Sequence, residues 1–178
     1  TNQATRFLFG EGRYPSIAAD PVDEGDLFTL SEDEADRITQ CLTALEKQAR
    51  LRSVMRQLAR RGLSTGTAAA SIELRKGRFC VTCYHAKDCI PVFADCESTE
   101  LESLTICYEF DKLTQTPDGV SYVRTWFRRD ITAEDFIVYE DEPVKSGEEP
   151  RWRVNTAETV HHGLGFCPAA WIKNLADD

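Results

Sequence analysis

The sequence predicts an α+β fold, in which an N-terminal arm and one or two helices are followed by a mainly antiparallel β-sheet. Three observations carry this reading. A capping tetrad at Ser31 opens a stretch of helical apolar period that runs to Gly62. Beyond Gly62 the period falls to two, with β-branched and aromatic residues alternating with polar ones and turn residues recurring every eight to twelve positions. The helical pattern does not return after the strands begin, so the order is helices then sheet, as in α+β chains, and no βαβ alternation is present.

The elements follow in order. Residues 1–30 read as an extended acidic arm, because Gly10, Gly12, Pro15 and Pro21 interrupt every apolar run and Asp20, Asp23, Glu24 and Asp26 cluster near its end. Ser31-Glu32-Asp33-Glu34 has the spacing in which the hydroxyl accepts from the Glu34 amide while the Glu34 carboxylate accepts from the Ser31 amide. Acids crowd the start of the helical stretch and Arg50, Arg52, Arg56, Arg60 and Arg61 crowd its end, matching the two poles of a helix dipole. Ile38, Cys41, Leu42 and Leu45 share one face, whereas Leu51, Val54, Met55 and Leu58 project about 100–150° further round. That shift predicts a break between Lys47 and Arg50, and Gly62 is the expected helix exit, since glycine tolerates positive φ. Strands are expected over 68–75, 78–84, 90–94, 101–110, 120–129, 136–140, 152–155 and 169–172. Lys76-Gly77 and Pro117-Asp118-Gly119 are the clearest turns between them. Gly163, Leu164, Gly165 and Pro168 are expected to form a sharp structural turn into the last strand.

Length and composition fit one domain, residues 31–178, behind the arm: the chain has 178 residues, 42% hydrophobic and 29% charged. No run of 18 apolar residues occurs, so no membrane helix is expected. A net charge of −9 is the opposite of the basic footprint of an autonomous nucleic-acid-binding protein. Seven cysteines, an odd number at low density, point to reduced thiols and not to a disulfide scaffold. The sequence starts at Thr1 with no charged segment leading into an apolar one, so no signal peptide is expected among these residues, and a piece of a longer chain is.

Four constellations invite chemistry. Cys80, Cys83, His85, Cys89 and Cys96 carry the ligand types of a zinc site, which would make the chain a small cysteine-rich metal-binding adaptor. The spacing argues against it: residues three apart on a strand point to opposite faces, so Cys80 and Cys83 should not converge. No metal or other cofactor is therefore expected, and the thiols read as buried or half-buried small apolar side chains. Cys167 beside His161-His162 has the makings of a nucleophile and base, but nothing supplies an orienting third group or an oxyanion site, so no catalysis is expected. Gly62-Leu63-Ser64-Thr65-Gly66-Thr67 lacks the Gly-Lys-Ser/Thr ending of a phosphate loop and follows a helix instead of a strand. The stretch from Lys47 to Arg61 has six bases and no acid, which would suit phosphates, yet the bases fall mostly opposite Leu51, Val54 and Leu58, as on a solvated helix face.

Two stretches carry more than composition does. Ala59-Arg60-Arg61-Gly62-Leu63-Ser64-Thr65-Gly66-Thr67-Ala68-Ala69-Ala70 resembles the helix-Gly-strand entry of the wing region in tailed-phage portal proteins. His162-Gly163-Leu164-Gly165-Phe166-Cys167-Pro168-Ala169-Ala170-Trp171-Ile172-Lys173-Asn174 resembles the Leu-Gly-x-x-Pro segment that closes that region before the stem helix. Between them, 85–93 and 126–131 fit the family's pattern of short strands. The resemblance covers roughly residues 40–178. Portal chains are much longer, with a stem, a clip and a crown that these residues do not include, so it implies a wing region. It further implies a non-enzymatic subunit of a ring at one capsid vertex, found in the virion and in the host cytoplasm during assembly. Its partners would be other copies of itself and capsid protein, with terminase and head-tail adaptor docking through the regions not included. DNA would pass through the channel without sequence-specific binding. A negatively charged wall favours that sliding, because it repels phosphates.

Overall fold

A computed structural model describes residues 31–95, 100–116 and 119–173. The arm 1–30, Cys96, Pro117-Asp118 of the second expected turn, and Asn174 lie outside the described residues. Helix α1 spans Glu32–Gln48 and α2 spans Leu51–Thr65. The Ser31 box is formed: the Ser31 amide donates to Glu34 Oε2 at 3.0 Å and the Glu34 amide donates to Ser31 Oγ at 3.4 Å. The Ser31 amide, with the Ser31 hydroxyl, holds the Glu34 carboxyl below its ordinary range. The break falls at Arg50, which takes a left-handed conformation with φ of 51° between the helices. A side chain there costs about 1–2 kcal/mol relative to the right-handed region.

Gly62 is not the helix exit. It is buried inside α2, and the helix continues to Thr65 before Gly66, at φ 78°, closes it by donating its amide hydrogen bond to the Gly62 carbonyl at 2.7 Å. Ser64 and Thr65 extend the last turn by donating their hydroxyls to the Arg61 carbonyl at 2.9 and 2.8 Å. Two glycines were available four residues apart, and the chain turns at the second.

Nine strands follow among the described residues: β1 Thr67–Arg75, β2 Arg78–His85, β3 Cys89–Phe93, β4 Leu101–Thr116, β5 Gly119–Ile131, β6 Asp135–Val138, β7 Glu142–Pro143, β8 Val160–His161 and β9 Ala169–Lys173. They form two antiparallel sheets among the described residues. One has the order β2-β1-β9 and the other β3-β4-β5-β6-β8, with β7 pairing on β5. Lys76 and Gly77 both have positive φ, as a two-residue turn between right-twisted strands requires. The strand expected over 152–155 is reduced to a single bridge, Tyr139 to Val154. Asn155 instead starts a turn, accepting the Ala157 amide on its side chain and the Glu158 and Thr159 amides on its carbonyl.

Helix α2 covers one face of the small sheet, where the Cys83 thiol donates to the Val54 carbonyl and the Arg61 guanidinium to the Cys83 carbonyl. The opposite face packs on the large sheet. Ala69, Cys89, Leu101, Leu104, Ile106, Ile131, Phe136 and Cys167 make one core between them. Leu104, Ile106 and Ile131 are fully buried, each contributing roughly 1.5–3 kcal/mol. Glu73 and Arg129 clasp the two sheets at the margin of this core, with Arg129 Nη1 at 3.3 Å from both carboxylate oxygens and Arg75 binding Glu73 from the solvent side.

Candidate assembly interface

The described cysteines do not gather. Cys80 pairs with Glu73 and Cys83 with Ala70, on opposite faces of the small sheet, while Cys89 sits opposite Ile106 in the large one. Cys96 lies outside the described residues, and among the described residues no group of three or more His, Cys, Asp or Glu side chains could hold a metal ion. Burial pushes the thiols of Cys83, Cys107 and Cys167 up, and that of Cys89 to about 12, so these four favour the neutral form.

Cys167 and the two histidines are committed to separate contacts. The Cys167 thiol donates to the Ile131 carbonyl at 3.6 Å, and His161 Nδ1 lies 3.0 Å from Asp135. His162 Nδ1 accepts the Leu164 amide at 3.2 Å while its ring packs on Phe136 at 4.7 Å. These bonds build a turn. The His162 and Gly163 amides both donate to the Glu134 carbonyl and the Gly165 amide to the Ala133 carbonyl, with Gly163 and Gly165 at φ 57° and 74°. Pro168 ends the turn, its carbonyl accepting the Ile72 amide at 2.9 Å where β9 joins β1. Leu164 and Phe166 are left about half exposed on the outside.

The feature the sequence reading did not anticipate is the length of the β4–β5 ribbon. Its pairing runs unbroken from Leu104 opposite Ile131 to Thr116 opposite Gly119. At the base, β3 pairs with β4 only as far as Ile106, β6 pairs with β5 from Arg129 to Ile131, and β7 reaches only Thr125 and Trp126. Beyond Asp111 and Val123, each strand pairs only with the other among the described residues. The apolar and polar alternation through Lys112-Leu113-Thr114 and Val120-Ser121-Tyr122, flanking Pro117-Asp118-Gly119, was the available signal for this extension.

A polar cluster fixes the ribbon's base. Asp130 accepts bonds from Thr105, from Arg128 at two atoms and from the Tyr139 hydroxyl at 2.7 Å. The Arg128 guanidinium lies 4.7 Å from the Tyr139 ring centre and 5.3 Å from that of Trp152, close enough for cation–π attraction to both. Burial, then the Asp130 hydrogen bond, pushes the Tyr139 phenol up, and the same carboxylate raises Arg128. Farther out, Arg124 pairs with Glu109 and Lys112 with Asp141.

The tip carries no charge among its described residues past Lys112 and before Arg124. Leu113, Val120 and Tyr122 lie on one face of it, since Leu113 is opposite Tyr122 and Gln115 opposite Val120. Their exposures are 60%, 63% and 75%. A two-stranded ribbon with an exposed apolar face and open edges is a feature that native proteins usually blunt. Ile90 and Val92 on β3 and Ile72 and Leu74 on β1 add exposed apolar side chains elsewhere. No helix among the described residues is long and apolar enough to cross a membrane. A scan against protein-family models and a search of curated proteins both find no match to this chain.

Proposed function

We propose that these residues are the wing of a tailed-phage portal subunit, a non-enzymatic part of the ring through which DNA is packaged and ejected. The observation that carries the assembly role is the ribbon tip, with Leu113, Val120 and Tyr122 exposed on one face. A ring repeats one heterologous contact head to tail, so each subunit needs two different sticky surfaces, and the ribbon and the Leu164–Phe166 turn are such a pair. The portal class itself rests on the likeness of 59–70 and 162–174 to the wing entry and exit. An acidic chain around DNA favours sliding over sticking, which supports the conduit role.

Sedimentation tests this reading on residues 1–178 and on the chain extended through its natural reading frame. The extended chain should form a closed ring. The shorter one should remain a monomer or weak oligomer, because the wing alone falls short of the roughly 1,200 Å² of a stable interface. An extended chain that stays monomeric at high concentration counts against the portal reading. Elemental analysis separates the adaptor alternative: one bound zinc per chain, with unfolding on chelation, would promote it.

A further inference from the structure

Helix α1 leaves much of its apolar stripe uncovered. Of its 17 residues only Ala35 is buried; Ile38 is 38% exposed, Cys41 is exposed, and Leu42 and Leu45 are half-buried. Ile38, Cys41 and Leu45 recur at steps of three and four, which sets them along one seam of the helix. The same helix is polarised in charge. Glu32, Asp33 and Glu34 occupy its first turn, whereas Lys47 lies in its last turn and Arg50 just beyond it. The acid beside them, Glu46, is already paired with Arg52 at 3.4 Å. Glu32, Asp33, Lys47 and Arg50 take part in none of the ion pairs among the described residues.

We infer that this seam is the contact of a two-fold dimer, in which α1 of one copy lies antiparallel to α1 of a second. A helix that is acidic at one end and basic at the other repels a parallel copy and complements an antiparallel one, and the helix dipoles act in the same sense. Two-fold pairing also makes the patch self-complementary, as a contact between identical faces requires. With the axis at Cys41 the two Cys41 residues lie level, Ile38 lies level with Ala44 beside Leu45, and Glu32 lies level with Arg50. The contact is small. A strip about 25 Å long and about 10 Å wide on each copy falls short of the roughly 1,200 Å² of a stable interface, so the dimer is weak and reversible. It uses neither the ribbon nor the Leu164–Phe166 turn, and it stands or falls separately from the portal reading.

Oxidation of the full 178-residue chain by copper phenanthroline at high concentration, mapped by peptide mass spectrometry, tests it. Cys41 should be joined to Cys41 of a second copy, and Cys41→Ser should remove that dimer. The link should fall by about threefold or more at about 0.5 M salt, where screening shortens to a few ångströms. Glu32→Lys/Asp33→Lys makes both ends of α1 basic, and Lys47→Glu/Arg50→Glu makes both ends acidic. Each variant alone should link about fivefold less than the parent, and an equal mixture should regain the link as heterodimers identified by mass, which also reports that both are folded. The inference is overturned if the folded parent leaves Cys41 unlinked, if Cys41 couples mainly to other cysteines, or if salt leaves the link undiminished. A mixture that links no better than the separate variants would overturn it as well.

Discussion

The two ends of the β4–β5 ribbon share the same strands and register yet differ in what holds them. At the base, Leu104, Ile106 and Ile131 are fully buried under the small sheet, and Asp130 gathers Thr105, Arg128 and Tyr139 on the other face. At the tip, Leu113 and Tyr122 face each other across the ribbon and otherwise face water. Two strands alone are marginal in water, so the tip depends on the base for its order. A substitution at the base should therefore act on folding, and one at the tip on association.

The strongest way to break that comparison is Ile106→Ala. The cavity it leaves between the sheets should cost about 2–5 kcal/mol in denaturant unfolding. A loss below about 1 kcal/mol would mean that the two sheets do not share this core. Asp130→Ala should come next, at about 2–3 kcal/mol, because it leaves the half-buried Arg128 and Tyr139 without their acceptor. Asp130→Asn, which keeps an acceptor, should cost less, and equal losses would remove the argument from hydrogen bonding.

Gly163→Val and Gly165→Val should each cost about 1–3 kcal/mol, since both positions hold positive φ. Gly165 is the cleaner test, as a Cβ there meets nothing within 4 Å and any loss is backbone strain. Melting indistinguishable from the parent in both variants would show that the turn does not need them. The smallest effect on stability belongs to the tip: Leu113→Asp/Tyr122→Asp should shift unfolding by about 0.5 kcal/mol or less. The same pair should abolish ring formation by the extended chain in sedimentation, and intact rings would remove the ribbon from the interface.

The thiols give the comparison a pH axis. Cys89 lies on the core side of the base and keeps its proton to about pH 12 when folded. The unfolded chain releases that proton near the ordinary thiol value of about 8.5. The contribution is therefore present below that value and is lost as pH rises toward 12. Cys89→Ala should flatten the fall in stability across that alkaline window, and an unchanged slope would place its cause in other groups.

Features set by neighbours along the chain were legible in the residues themselves. The Ser31–Glu34 box, the helix break at Arg50, the Lys76-Gly77 turn and most strands rest on contacts within four residues or on a period of 3.6 or 2, and such patterns are written locally. The helices-then-antiparallel-sheet order followed from them. The separation of Cys80 from Cys83 was equally legible, because strand alternation alone decides it. What only the tertiary structure decided depends on partners far away in sequence. Gly62 and Gly66 are equivalent as local helix exits, and Gly62 became the buried one because α2 lies against the small sheet. The 152–155 segment has strand composition, but the turn at Asn155 and the pairing of β8 with β6 took its place. The return of β9 to β1 across about a hundred residues splits the strands into two sheets, and the ribbon tip is exposed because β3, β6 and β7 stop short of it. Long-range pairing is chosen by competition among many compatible strands for buried area, and that competition leaves no period in the sequence to read.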